Sequence, residues 1–146
     1  MKAIVVYDSV YGNTQKIAET IGGAIAGEVR VARVGDIAPA DVTAVDLLVV
    51  GSPTHGGRPT PAVQEFLNKI PEEAVKGVKL AAFDTRLPGR LVGVFGYAAV
   101  KIADRLKARG ASVVSSPEGF FVKRKDGPLI DGELERAARW AKGIVR

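Results

Sequence analysis

Five short apolar runs rich in β-branched residues alternate along the chain with stretches whose apolar residues recur every three or four positions. The runs cover residues 3–7, 29–34, 47–51, 80–83 and 112–115. Near-continuous apolarity marks strands buried on both faces, and the helical stripes between them supply the cover. Crossovers of the usual hand then give an α/β fold: a three-layer, doubly wound, five-stranded parallel sheet. The inward stripes read Ile17, Ala18, Ile21, Ala24 and Ile25; Val63, Phe66, Leu67 and Ile70; Ala99, Ile102, Ala103 and Leu106; and Leu134, Ala138, Ala141 and Val145. Thr60 followed by Pro61 reads as a helix start, Gly110 as a helix end and Asp131 as the cap of the last helix. The second crossover, residues 37–43, holds Pro39 and is too short for much of a helix. Residues 117–127 read as an ordered excursion after the fifth strand. The expectation is one domain over residues 1–146.

The first strand breaks into Asp8-Ser9-Val10-Tyr11-Gly12-Asn13-Thr14, and a helical stripe begins at once. A strand, a tight loop and a helix start present several backbone N–H groups to an anion. Ser9, Asn13 and Thr14 add side-chain donors, and Gly12 removes a Cβ where a phosphate would approach. No lysine lies in this loop, so neutral donors and the helix dipole would hold the charge. Asp8 invites comparison with a phosphoacceptor, but that chemistry needs a magnesium-binding acidic cluster. The end of the third strand, Gly51-Ser52-Pro53, supplies no carboxylate.

Composition narrows the function classes. With no cysteine the chain has no disulfide, no thiolate nucleophile and no thiolate metal site. Its single histidine argues against a dedicated transition-metal centre. No apolar run approaches the ~20 residues of a membrane span, and the strand pattern starts at the N-terminus with no leader before it. A cytoplasmic location is therefore expected, with no membrane partner. The net charge of +5 is uneven: residues 1–100 carry ten basic and ten acidic residues, and residues 101–146 carry eleven and six. No aromatic residues interleave with this basic surface, so nucleic acid is not the expected partner. Lys123-Arg124-Lys125 reads first as solvated surface and second as a patch for an acidic protein.

Ligands of open parallel sheets bind beyond the carboxyl ends of the strands, where strand order reverses. Three loops leave that edge. They are the loop from Asp8 to Asn13, the run Ser52-Pro53-Thr54-His55-Gly56-Gly57-Arg58-Pro59, and a stretch from Asp84-Thr85-Arg86-Leu87-Pro88-Gly89 to about Gly96. The last two exceed the ~2–6 residues usual for such connections. The pattern Tyr7-x-Ser9-x-x-Gly12-Asn13-Thr14-x-x-x-Ala18-x-x-Ile21 resembles the FMN-phosphate loop of flavodoxins. Gly51-Ser52-Pro53-Thr54 resembles the flavin loop of flavodoxin-like domains in flavodiiron proteins and related quinone reductases. Phe83 through Gly96-Tyr97-Ala98-Ala99 to Leu106-x-x-x-Gly110-Ala111 is similar to the last flavin loop and following helix of a short-chain flavodoxin.

The resemblance implies strand order 2-1-3-4-5, FMN as a non-covalent cofactor and electron transfer between redox partner proteins, with no catalytic residue and no metal. It implies phosphate contacts from Ser9, Val10, Tyr11, Gly12, Asn13 and Thr14. Pro53, Thr54, His55, Gly56 and Gly57 would approach one side of the ring, and Asp84, Thr85, Arg86 and Leu87 its pyrimidine edge. Arg86 has two readings of equal weight: a charge that stabilises reduced flavin, or a partner of Asp84 that holds the loop. The chain departs from the family in having no Trp in the flavin loops, leaving His55, Phe95 and Tyr97 as ring neighbours and Trp140 as core. It departs again in its pI of about 9.6, since flavodoxins are usually acidic. Two rivals follow: a small flavin-dependent NAD(P)H:quinone-type reductase, and a flavodoxin-like binding module that has lost FMN.

Overall fold

The computed structural model describes residues 1–89 and 97–145. Five parallel positions form the sheet, with β1 (Lys2–Tyr7) and β3 (Leu47–Pro53) central and β2 (Glu28–Arg33) at one edge. On the other side of β3 lies β4 (Lys79–Arg86), giving the order β2-β1-β3-β4-β5. The fifth position is shared. β5 (Ser112–Val113) pairs with the start of β4, and β6 (Glu118–Phe121) pairs with its end.

The interruption has a countable cause. From Leu80 to Phe83 the strand β4 advances three residues, while its neighbour advances five, from Val113 to Glu118. The extra two residues must leave the ladder, and Pro117 brings no N–H to donate. The indole N–H of Trp140 donates to the Ser115 hydroxyl at 3.1 Å and secures the departure. The expected strand over residues 112–115 thus ends at Val113, and part of the expected excursion is strand.

Strand alternation sorts the side chains between two cores. Ala3, Val5, Leu47, Val49, Ala81 and Phe83 pack under α1 (Asn13–Ala24) and the C-terminal helix. Ile4, Val6, Leu48, Val50, Leu80 and Ala82 pack under α2 (Pro61–Lys69) and α3 (Ala98–Lys107). The stripes read for the first three helices match the buried faces, with Ala24 only partly buried. Two short 3₁₀ turns, Val34–Asp36 and Pro39–Ala44, fill the second crossover.

The last helix, α4 (Glu133–Ile144), departs from its reading. Gly132, not Asp131, occupies the cap. The buried stripe is Ala137, Ala141 and Ile144, and Leu134 is exposed. Glu133 fixes this rotation: its carboxylate turns inward, accepting the Phe121 N–H at 2.8 Å and the Arg136 guanidinium. Trp140 lies partly buried in a three-way edge-on cluster with Phe83 and Phe120, at ring separations of 6.0–6.3 Å.

Candidate functional site

The loops leaving β1, β3 and β4 enclose a cleft of ≈ 220 Å³ at the carboxyl ends of the strands. Ser9, Val10, Tyr11, Asn13 and Thr14 line it from the first loop. Pro53, Thr54, His55, Gly56 and Gly57 line it from the second, and Thr85, Arg86 and Leu87 from the third. Val122 and Lys125 enter from the chain beyond β6. Gly12 and Asp84, both expected at the site, do not line the cleft.

The first loop is tied from behind. The Asp8 carboxylate accepts the Ser9 N–H at 2.9 Å and the Thr60 hydroxyl at 2.6 Å. Arg33 donates to the Ser9 carbonyl at 2.8 Å and stacks over Tyr7. The Gly12 N–H donates to Ser9 Oγ at 3.1 Å, so that amide serves the loop itself. A Cβ on Gly12 would meet nothing within 4 Å. What demands glycine there is φ of +93°, not crowding. The first amide of α1 to reach an intrahelical acceptor is Lys16, bonded to the Gly12 carbonyl at 3.1 Å. Helix geometry therefore leaves the N–H groups of Asn13, Thr14 and Gln15 without one. Thr14 is buried, and its hydroxyl shares a 2.8 Å hydrogen bond with that of Thr85.

The second loop is a tight hairpin. His55 and Arg58 exchange backbone hydrogen bonds of 2.9 and 3.1 Å around Gly56 and Gly57, whose φ values are +58° and +77°. Two left-handed residues in a two-residue turn define type I′, which glycine accepts without strain. The Thr54 N–H reaches the Thr85 carbonyl at 2.9 Å, and Ser52 Oγ accepts the Thr60 N–H at 3.0 Å.

At the third loop the parity of β4 decides which side chain goes where. Thr85 points with Phe83 toward α1, whereas Asp84 points with Ala82 toward α3. Asp84 is 0% exposed. Its carboxylate accepts two Arg86 hydrogen bonds of 2.7 and 2.8 Å, the Ala99 N–H at 3.0 Å and the Thr54 hydroxyl. Burial pushes this carboxyl above the usual range, against the opposing pull of Arg86 and the other donors. Arg86 lies 3.4 Å over the Tyr97 ring and against Gly119, where a Cβ would overlap its guanidinium. Of its two readings, the geometry displays the loop-holding one. Tyr97 is consequently covered by Arg86 and is not a cleft wall. Phe95 and Gly96 lie outside the described residues.

Two lining residues escaped the sequence reading. Val122 follows directly on β6, a strand that an interrupted ladder concealed. Lys125 belongs to the basic run taken as solvated surface. The cleft thus combines the first-turn amides of α1, Ser9, Asn13 and Thr14 with the charged Lys125 and with apolar surface from Val10, Tyr11, Pro53, Leu87 and Val122. Among the described residues no carboxylate lines it. That donor set suits a ligand with an anionic tail and a flat apolar body.

A family model described as Flavodoxin matches residues 5–140. A flavodoxin from the domain Archaea is 26% identical, with a TM-score of 0.83 over 99% of this chain and 96% of that one. Oxidised flavodoxin 2 from Bacillus cereus is 23% identical, with a TM-score of 0.85 over 99% and 98%. Rubredoxin oxygen:oxidoreductase from the anaerobe Desulfovibrio gigas is 20% identical, with a TM-score of 0.80 over 99% of this chain and 35% of that one. The last two likenesses speak to fold alone. No curated protein matches.

Proposed function

The chain belongs to the flavodoxin family, an FMN-binding electron-transfer family, and on that premise we propose that it carries electrons between redox proteins with FMN held in this cleft. FMN, when bound, supplies the redox chemistry; the polypeptide supplies binding, orientation and electrostatics. One observation carries this reading: amide and hydroxyl donors at the start of α1 and apolar walls from two other loops meet in one cleft at the strand ends. The phosphate would take the free N–H groups of α1 and the side chains of Ser9, Asn13 and Thr14. Each hydroxyl already bonded within the protein keeps capacity for another hydrogen bond. The His55–Arg58 turn and Leu87 would border the ring from opposite sides. Asp84 would act from behind, by holding Arg86, Thr54 and the start of α3 in place.

The partners are redox proteins, and on this reading they are acidic ones. Val10, Tyr11 and Leu87 are 53%, 49% and 39% exposed at the cleft rim. In the chain Arg58 adjoins the second cleft loop and Arg124 adjoins Lys125, and positive charge beside the cleft suits an acidic protein. A reducing cytoplasm suits a chain without cysteine. Among the described residues no helix is long and apolar enough to cross a membrane.

Purification followed by FMN titration tests the cofactor assignment. A yellow protein binding one FMN per chain is expected, and a colourless one that ignores added FMN would refute it. Steady-state NAD(P)H oxidation by the holoprotein separates a carrier from a reductase. The carrier reading expects no sustained turnover with a quinone acceptor.

A further inference from the structure

Beyond β6 the chain folds back on itself. Val122 forms an antiparallel bridge with Leu129, and the Lys123 N–H reaches the Pro128 carbonyl at 2.8 Å. The Gly127 N–H returns to the Arg124 carbonyl at 2.9 Å, closing a β-turn with Lys125 and Asp126 at its centre. This turn is pressed onto the start of α1. Gly127 has φ of +107°, and a Cβ there would lie only 2.7–3.1 Å from the side-chain amide of Asn13. The turn is thereby registered against Asn13, the first residue of α1, and Lys125, two residues before Gly127, lines the cleft.

Two of the described lining residues carry a full positive charge. Arg86 gives its guanidinium to Asp84. Lys125 makes no ion pair among the described residues. A phosphate monoester carries about −1.5 to −2 charges near neutral pH, which neutral hydroxyls and one helix terminus offset only in part. We propose that Lys125 is the counter-charge for the phosphate of FMN, and that it sets the preference of this cleft for FMN over unphosphorylated flavin. The inference rests on the FMN reading above. It differs from the sequence expectation, in which neutral donors held the phosphate alone.

The test uses full-length apoprotein titrated with FMN and, separately, with riboflavin, which has the ring and no phosphate. Lys125→Gln is compared with Lys123→Gln, an equal charge change on a residue that does not line the cleft. Lys125→Gln is expected to weaken FMN about three- to tenfold at low salt and to leave riboflavin unchanged. It also flattens the salt dependence of FMN binding. Lys125→Arg retains the discrimination, and Lys123→Gln matches the wild type for both flavins. Retained riboflavin binding shows that the variant cleft is folded. If Lys125→Gln discriminates FMN from riboflavin as strongly as the wild type, the assignment of Lys125 falls and the FMN reading stands. Wild-type protein that binds neither flavin overturns both.

Discussion

Asp84 and Arg86 show how single residues keep this site open. The pair is nearly sealed from water, with 0% and 13% of the side chains exposed. Removing one partner strands the other, which typically costs about 3–5 kcal/mol. Arg86→Ala is expected to lose about 3 kcal/mol in urea unfolding at pH 7. The pH dependence gives the signature. Without Arg86 the folded-state pKa of Asp84 rises further above its unfolded value. The deficit is therefore full above the variant's folded value and fades as pH falls to the wild-type folded value, itself above the usual carboxylate range. A deficit constant across that window would contradict this account. Thr60 has a comparable double role, capping α2 through the Val63 N–H while donating to Asp8. Thr60→Ala should cost about 1–2 kcal/mol in thermal or chemical unfolding, and Thr60→Ser much less. The hidden position of Asp84 was legible in principle. Strand parity puts residues 84 and 85 on opposite faces of β4, so a site that takes Thr85 from the α1 side leaves Asp84 turned toward α3.

Among the elements, those with a strong period were legible and those set by a single polar group were not. The stripes of the first three helices follow from 3.6-residue spacing and match the buried faces. The rotation of α4 is set by Glu133, whose inward carboxylate no apolar pattern announces. Arg136 holds that carboxyl below the usual range, with the Phe121 N–H assisting. Such a group contributes stability above its unfolded pKa and loses it as pH falls through the lower folded one. The advantage of wild type over Glu133→Gln should be about 1.5 kcal/mol near neutral pH and shrink below about pH 4. An advantage that grows on acidification would refute this role. The split edge strand was hidden for a different reason. Parallel pairing depends on a distant partner, and two extra residues before Glu118 break the local pattern while leaving the ladder intact on both sides. The chain beyond that break carries Val122 and Lys125, the part of the site missed in the sequence.

For the whole molecule, the positive excess lies in residues 101–146, yet part of it serves the fold. Arg136 bridges Glu118 and Glu133, and Arg109 donates to the carbonyls of Leu67 and Ile70 at the end of α2. The residues around the cleft remain to meet a partner. Electron transfer with a redox protein of net negative charge should slow as ionic strength rises from about 0.01 to 0.15 M, because screening shortens the reach of the field. Acceleration over that range would argue for a basic partner. An NMR titration of isotope-labelled apoprotein maps where FMN binds. Addition of one equivalent of FMN should shift the amides of Ser9–Thr14, Thr54–Gly57, Thr85–Leu87 and the turn at Lys125, while a separate groove lined by Asn68, Glu73, Lys76 and Gly110, beyond the C-terminal ends of α2 and α3, stays unchanged. Shifts centred on that groove, or none at all, would contradict the account.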